Sequence, residues 1–219
     1  MNGNLGNGTL DECPMKFYTT HILPRLTHWV CAGRDFDFQR RQVVPLARGN
    51  ILEVGMGSGL NLPFYDPSKV DLLHGLEPSA ALRKMAEKRA AGLPFPVRFI
   101  GLPGEEIPLD TGSMDTVLVT YTLCTIPDVQ QALAQMRRVL KPGGQLIFCE
   151  HGLAPDPGIR KWQNRINPIW QRFSGGCCLN RPIADLIRGN GFKILKMTAR
   201  YHSPLKITGF TYRGRAVSV

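Results

Sequence analysis

The period of the apolar positions changes along the chain. Tyr18, Ile22, Leu26 and Trp29 recur every three or four residues, as one face of a helix does, and Phe38, Val43 and Leu46 suggest a second, shorter helix. From residue 50 the apolar positions close up into short runs bounded by Gly, Pro and Asp. Runs over 50–54, 71–76, 97–100, 115–119 and 145–149 read as strands of a sheet buried on both faces. Helical patterns separate them. Pro63 and Pro67 limit a short helix over 61–65, Ser79 caps one reaching about Ala91, and Asp128 caps one carrying Val129, Leu133, Met136 and Leu140. Pro142-Gly143-Gly144 stops that last helix. Further on, Ile159, Trp162, Ile166, Ile169 or Trp170, and Phe173 form an apolar stripe opposite Arg160, Lys161, Arg165 and Arg172. The expected role of this stripe is core or lid packing, with Pro168 bending the helix. A helix over 183–188 and strands over 192–197 and 207–216 close the chain. Strand and helix alternate, so the fold class is α/β with a mainly parallel sheet. Residues 1–12 read as a flexible tail, 13–49 as an N-terminal helical cap and 50–219 as the main domain, with 13–219 one globular unit.

Composition narrows this only a little. Hydrophobic residues make up 43% and charged residues 20% of the 219, an ordinary globular balance. The net charge of +10 suits an acidic partner, but the basic residues are scattered rather than blocked, which disfavours nucleic acid. The six cysteines include no Cys-x-x-Cys pair, so free thiols in a reducing compartment and no metal are expected. No apolar stretch approaches the ~18 residues of a membrane span. Cytoplasm is the expected location, and the amphipathic stretch 159–173 leaves peripheral membrane contact open.

The chemistry concentrates at strand ends. Glu53-Val54-Gly55-Met56-Gly57-Ser58-Gly59 ends a strand in a glycine turn, where φ > 0 and bare backbone admit a ligand. Position 60 is Leu, so the turn lacks the third glycine of a dinucleotide phosphate loop, and with Glu53 in the strand it suits a positively charged ligand part. Glu77 ends the second strand, where a carboxylate meets the paired hydroxyls of a ribose. Residues 101–105 and 120–124 follow the next two strands at the same sheet edge. Together they point to a nucleoside ligand whose reacting end lies near Tyr121 and Cys124.

This set resembles the class I S-adenosylmethionine-dependent methyltransferases. Residues 53–59 are similar to their first motif, Glu77 to their ribose acid, and Arg137-Arg138-Val139-Leu140-Lys141-Pro142-Gly143-Gly144 to their signature before strand five. The resemblance implies a Rossmann-like seven-stranded, mostly parallel sheet with helices on both faces, the last strand antiparallel, and an N-terminal helical cap. It implies S-adenosyl-L-methionine as cofactor, released as S-adenosyl-L-homocysteine. The implied cofactor residues are Glu53, Gly55, Gly57, Ser58, Gly59, Asn61, Glu77, Pro78, Pro103, Gly104, Glu105, Thr120 and Tyr121. Pro103 and Gly104 depart from the usual Asp-Ala, which leaves main-chain contact to the adenine there.

Downstream, Leu123-Cys124-Thr125-Ile126, Cys149-Glu150-His151, Pro168-Ile169-Trp170, residues 176–181 and Tyr212-Arg213-Gly214-Arg215-Ala216 resemble the methyltransferase-like thiol S-methyltransferases of animals and their bacterial relatives. The animal members carry an N-terminal membrane anchor that is not visible in this sequence. The implied reaction is in-line transfer of the sulfonium methyl to a small, lipophilic acceptor such as a thiol. A methyltransferase acting on RNA or other nucleic acid is the alternative, and a non-catalytic nucleoside-binding protein the second. His151 is the candidate base or substrate-orienting group. Tyr18, His21, Cys124, Trp162 and Trp170 are candidate acceptor contacts, and His28 a further residue facing the pocket. Cys177 and Cys178 are expected to pack beneath the lid without metal, since nothing nearby in sequence completes a ligand set.

Overall fold

The computed structural model describes residues 18, 22–202 and 205–219, so the expected tail, Cys13 and His21 lie outside the described residues. Two helices, α1 (Leu23–Cys31) and α2 (Arg34–Val43), precede the sheet. Its strands are β1 (Gly49–Val54), β2 (Val70–Leu76), β3 (Val97–Ile100), β4 (Met114–Thr120), β5 (Leu140–His151), β6 (Phe192–Tyr201) and β7 (Phe210–Ser218). Helices α3 (Ala80–Ala90), α4 (Val129–Val139), α5 (Pro157–Phe173), α6 (Ile183–Gly189) and α7 (Lys206–Gly209) complete the chain. The strand order is β3-β2-β1-β4-β5-β7-β6. Neighbours among β1 to β5 pair in parallel, and β7 runs antiparallel to both β5 and β6.

Side chains of a strand alternate between faces, and each face here has its own core. Ile51, Leu73, Leu118 and Ile147 pack with Val43, Leu62 and Ala86 on one face. Leu52, Val54, Val117, Val119, Leu146 and Phe148 pack with Leu133, Met136 and Ile183 on the other. Double burial is why these strands are continuous apolar runs. The chain leaves β1 toward β2 and β3 but leaves β4 toward β5, so the order reverses between β1 and β4. The crevice beyond their carboxyl ends is where ligands of such sheets bind.

Three expectations change. The final strand begins at Phe210 rather than at residue 207, because residues 206–209 coil into α7. On α2 the inward residues are Gln39, Arg40 and Val43, while Phe38 is half exposed. Apolar spacing marked only Val43 of this face, because the other two buried residues, Gln39 and Arg40, are polar. The same holds on α5, where Gln163 is fully buried and Trp162, Ile169 and Phe173 are exposed. Gln163 Nε2 donates to the carbonyls of Gly152, Leu179 and Ile207 at 2.9–3.1 Å, and its Oε1 accepts from Ala154 N at 2.9 Å. This clamp sets the rotation of the helix, since turning the apolar stripe inward would leave those loop groups without partners.

Candidate active site

The glycine turn after β1 has one open position and two packed ones. Gly55, Gly57 and Gly59 have φ of 71°, 59° and 76°. A Cβ on Gly55 would lie 2.2 Å from Thr122 Cγ2, and one on Gly59 would lie 2.8 Å from Leu62 Cδ1 and 3.1 Å from the Ala86 backbone. At Gly57 nothing comes closer than the Gly55 carbonyl at 4.0 Å, so this is the backbone a ligand can approach. Glu77 holds the turn in place: one carboxylate oxygen accepts from Gly57 N at 2.9 Å and the other from Ser79 N at 2.8 Å. Each oxygen keeps a second lone pair for a further donor.

Glu53 shares the face of β1 with Ile51 and is buried beneath the crevice. It accepts from Asn61 Nδ2 at 2.8 Å and from the Tyr65 hydroxyl at 2.7 Å. Burial pushes its pKa up to about 7, against the downward pull of those two bonds and of Arg40. Asn61 Nδ2 also donates to Thr120 Oγ1 at 2.9 Å. Two buried atoms here have no hydrogen-bond partner, the acceptor Asn61 Oδ1 and the donor Arg40 Nε. The cap closes over the turn through His28 Nδ1 and Ser58 Oγ, 2.7 Å apart. Thr27, His28, Cys31 and Arg40 face Gly57, Ser58, Asn61, Thr120 and Tyr121 across a crevice of about 80 Å³.

A second cavity of about 530 Å³ adjoins the first, and Thr27, Cys31 and Tyr121 border both. Its walls are mainly apolar, from α1 (Leu23, Leu26, Val30), Phe36, Trp170, Phe173 and Leu205. Tyr121 stands between the cavities with φ 54°, left-handed backbone rare outside glycine and frequent at functional sites. Its ring meets Phe36 edge-on at 4.7 Å. At one end of the cavity His151 Nε2 lies 3.2 Å from Cys177 Sγ, with Cys124 alongside. Hydrogen bonds from Cys124 and His151 hold the Cys177 thiol well below its usual pKa, whereas Cys124 is pushed up.

Among the candidates from sequence, Gly55, Gly57, Ser58, Asn61, Thr120 and Tyr121 border the crevice, as does His28. Tyr18, Cys124, His151 and Trp170 border the apolar cavity, and the Tyr18 hydroxyl donates to the Phe173 carbonyl at 2.7 Å. Trp162 does not reach it; the side chain is exposed beside Arg165, 5.9 Å from its ring. Glu105 accepts from Asp128 N at 3.2 Å at the start of α4, and Pro78, Pro103 and Gly104 border neither cavity. The sequence reading marks Arg40-Arg41 as a solvated or ligand-near run, and Arg40 borders the crevice. It missed Tyr65 as a partner of Glu53. It also missed that Cys124 and His151 stand beside Cys177, contrary to the expectation that nothing near this cysteine could complete a ligand set.

Comparison with known proteins agrees with this geometry. A family model described as a methyltransferase domain matches residues 52–148. The human thiol S-methyltransferase TMT1B is 36% identical over 205 residues, covering 87% of this chain and 81% of that protein. The chain belongs to the class I S-adenosylmethionine-dependent methyltransferases. The human thiol S-methyltransferase TMT1A is 32% identical over 159 residues, 70% of this chain and 64% of that protein. A solved SAM-dependent methyltransferase of Thermotoga maritima shares the fold, with a TM-score of 0.61 over 93% of this chain and 99% of that one at 23% identity.

The cofactor of this methyltransferase is S-adenosylmethionine, and the donor set of the crevice fits it. The unpartnered Asn61 Oδ1 suits its ammonium, the unpartnered Arg40 Nε its carboxylate, and the open backbone at Gly57 a close approach. In volume the crevice is small beside the ~300–1,000 Å³ of ordinary ligand pockets.

Proposed function

We propose that this methyltransferase moves the sulfonium methyl to a small lipophilic thiol by in-line displacement. The observation that carries the reading is the apolar cavity of about 530 Å³, which meets the cofactor crevice at Thr27, Cys31 and Tyr121. An acceptor held there lies beside the methyl end of the cofactor. Asn61 Oδ1 and Arg40 take the amino-acid end, with the Glu53 charge behind Asn61. Gly55, Gly57, Ser58 and Gly59 form the cradle, Glu77 takes the ribose hydroxyls, and Thr120 and Tyr121 flank the reacting end. Pro78, Pro103, Gly104 and Glu105 shape the loops on the adenine side.

Tyr18, Cys124 and Trp170 form acceptor walls, and His151 orients the acceptor. The sulfur lone pair forms the new bond to the methyl carbon. The old carbon–sulfur bond breaks, its electrons stay on the cofactor sulfur, and the thiol proton passes to solvent. Holding both reactants in line supplies on the order of 7–11 kcal/mol of the barrier. The names of the two human relatives support a thiol as acceptor.

The test is a screen of purified protein with methyl-labelled S-adenosylmethionine against alkanethiols, phenols, amines and RNA. The expected result is label in the thiols. Label in RNA, with a salt-sensitive shift of RNA in a gel, would overturn the proposal in favour of the nucleic-acid reading prompted by the charge of +10.

A further inference from the structure

Cys124, His151 and Cys177 come from three separate parts of the chain: the loop after β4, the end of β5, and the loop after α5. Their donor atoms all lie within 4.8 Å of one another. Three atoms so spaced share a point within about 2.8 Å of each, near the ~2.0–2.3 Å of zinc–nitrogen and zinc–thiolate bonds. We propose that these three side chains bind a divalent metal of the zinc class, leaving a fourth position open to the apolar cavity for a thiolate.

The supporting structure holds the donors in place. Gly175 and Gly176, with φ of 68° and 89°, turn the chain back after α5. Cys178 N then donates to the Cys124 carbonyl at 2.8 Å, tying the two cysteine loops together. Arg181 donates to the Leu123 carbonyl and, at 2.7 Å, to that of Ile126. Glu150 Oε1 accepts from Thr122 N at 2.8 Å, so the residue before His151 positions the loop that carries Cys124.

The donor chemistry selects the metal. Thiolate and imidazole together suit zinc, and two cysteines with one histidine and an open position is a catalytic rather than a closed structural arrangement. Metal binding would release the protons of both thiols, and a divalent cation offsets the two thiolates so formed beside Glu150, whose Oε2 is buried without a hydrogen-bond partner. All three ligands border the cavity, so the fourth position faces whatever fills it. A thiol entering there exchanges its proton, lost to solvent, for a metal–sulfur bond. It remains a thiolate, held until its sulfur takes the methyl; the neutral thioether product is a weaker ligand and leaves. The thiol part rests on the proposed function; the metal part does not.

The full chain is expressed with added zinc, assayed for metal by mass spectrometry, then stripped and titrated with Co²⁺. The expected result is one zinc per chain and a Co²⁺ spectrum with thiolate charge-transfer and tetrahedral bands. Cys177→Ser and His151→Ala lose both, whereas Cys149→Ala keeps them. A wild-type chain that holds no zinc and shows no thiolate–Co²⁺ band overturns the proposal even if the variants fail to fold. So do variants that bind Co²⁺ as wild type does; a stripped enzyme that methylates thiols at the full rate overturns the metal-bound thiolate. Addition of a short alkanethiol to the Co²⁺ form should shift its visible bands. Such a shift without methyl transfer supports the site and sinks the thiol-acceptor reading instead.

Discussion

Gly57 and Gly55 have similar backbone angles and opposite surroundings, and substitution separates them. A Cβ on Gly57 enters open space, so Gly57→Ala costs only the left-handed conformation, about 1–2 kcal/mol. At ~2–4 °C per kcal/mol the chain stays folded with a modest fall in Tm, while calorimetry should find cofactor affinity lost to the methyl group in the cradle. Gly55→Ala places its Cβ against Thr122 and should fail first in folding. Equal effects at both positions would remove Gly57 from the ligand-facing role.

Glu53 makes the second residue-scale prediction. Tyr65, Asn61, Arg40 and Glu77 face it, and burial raises its pKa from 4.5 to about 7. The folded state therefore keeps a proton that the unfolded chain releases, so stability falls as pH rises across that window and levels off above it. Glu53→Gln should raise Tm relative to wild type at a pH of about 8 and change it little at about 5. A cationic cofactor lowers this pKa, so wild-type affinity should increase from about pH 6 to 8 with proton release, and the variant should show a flat profile. Equal pH slopes in the two proteins would exclude Glu53 as the linked group.

At the scale of elements, the two helices that build the acceptor side are held by polar clamps. Gln163→Leu leaves three carbonyls and one amide of the surrounding loops short of partners, a loss of about 3 kcal/mol. Tm should fall by roughly 6–12 °C, and a fall within error would show that α5 is held by other contacts. The clamps also explain which elements were legible. Strands β1 to β4 and helices α3 and α4 obey local rules of alternation and capping, and their positions follow from the sequence to within a residue or two. Strand β5 begins at Leu140 rather than 145, because Leu140 already pairs with Met114 and Pro142-Gly143-Gly144 is carried within the strand. The inward faces of α2 and α5 do not follow such rules, because Gln39 and Gln163 are buried to satisfy groups on other elements, and Arg40 is buried while bonding the Cys31 carbonyl and Asp37. Gln39, for example, bonds His202 and Arg213, so an apolar-spacing rule selects Phe38 in its place.

At the scale of the molecule, the cavity makes its own prediction. If a lipophilic thiol is the acceptor, each added methylene buries about 0.8 kcal/mol, or about a fourfold gain in kcat/KM, until the cavity is full. A series of straight-chain thiols should show that rise and then a plateau, and a flat series would argue against an apolar acceptor. No helix among the described residues is long and apolar enough to cross a membrane.

The sequence alone determined the parallel part of the sheet, the glycine turn and the carboxylate at the end of β2, because these depend on short-range alternation, on φ > 0 at glycine and on one strand-end residue. It also marked Cys124, His151 and Trp170 singly as acceptor-side residues. Only the tertiary structure decided what they form together. Tyr18, Phe36, Cys124, His151, Trp170 and Cys177 line one cavity although Tyr18 and Cys177 lie more than a hundred positions apart in the chain. No local pattern encodes such a meeting. It follows from the order in which the strands pair and from the polar clamps that hold the helices over them.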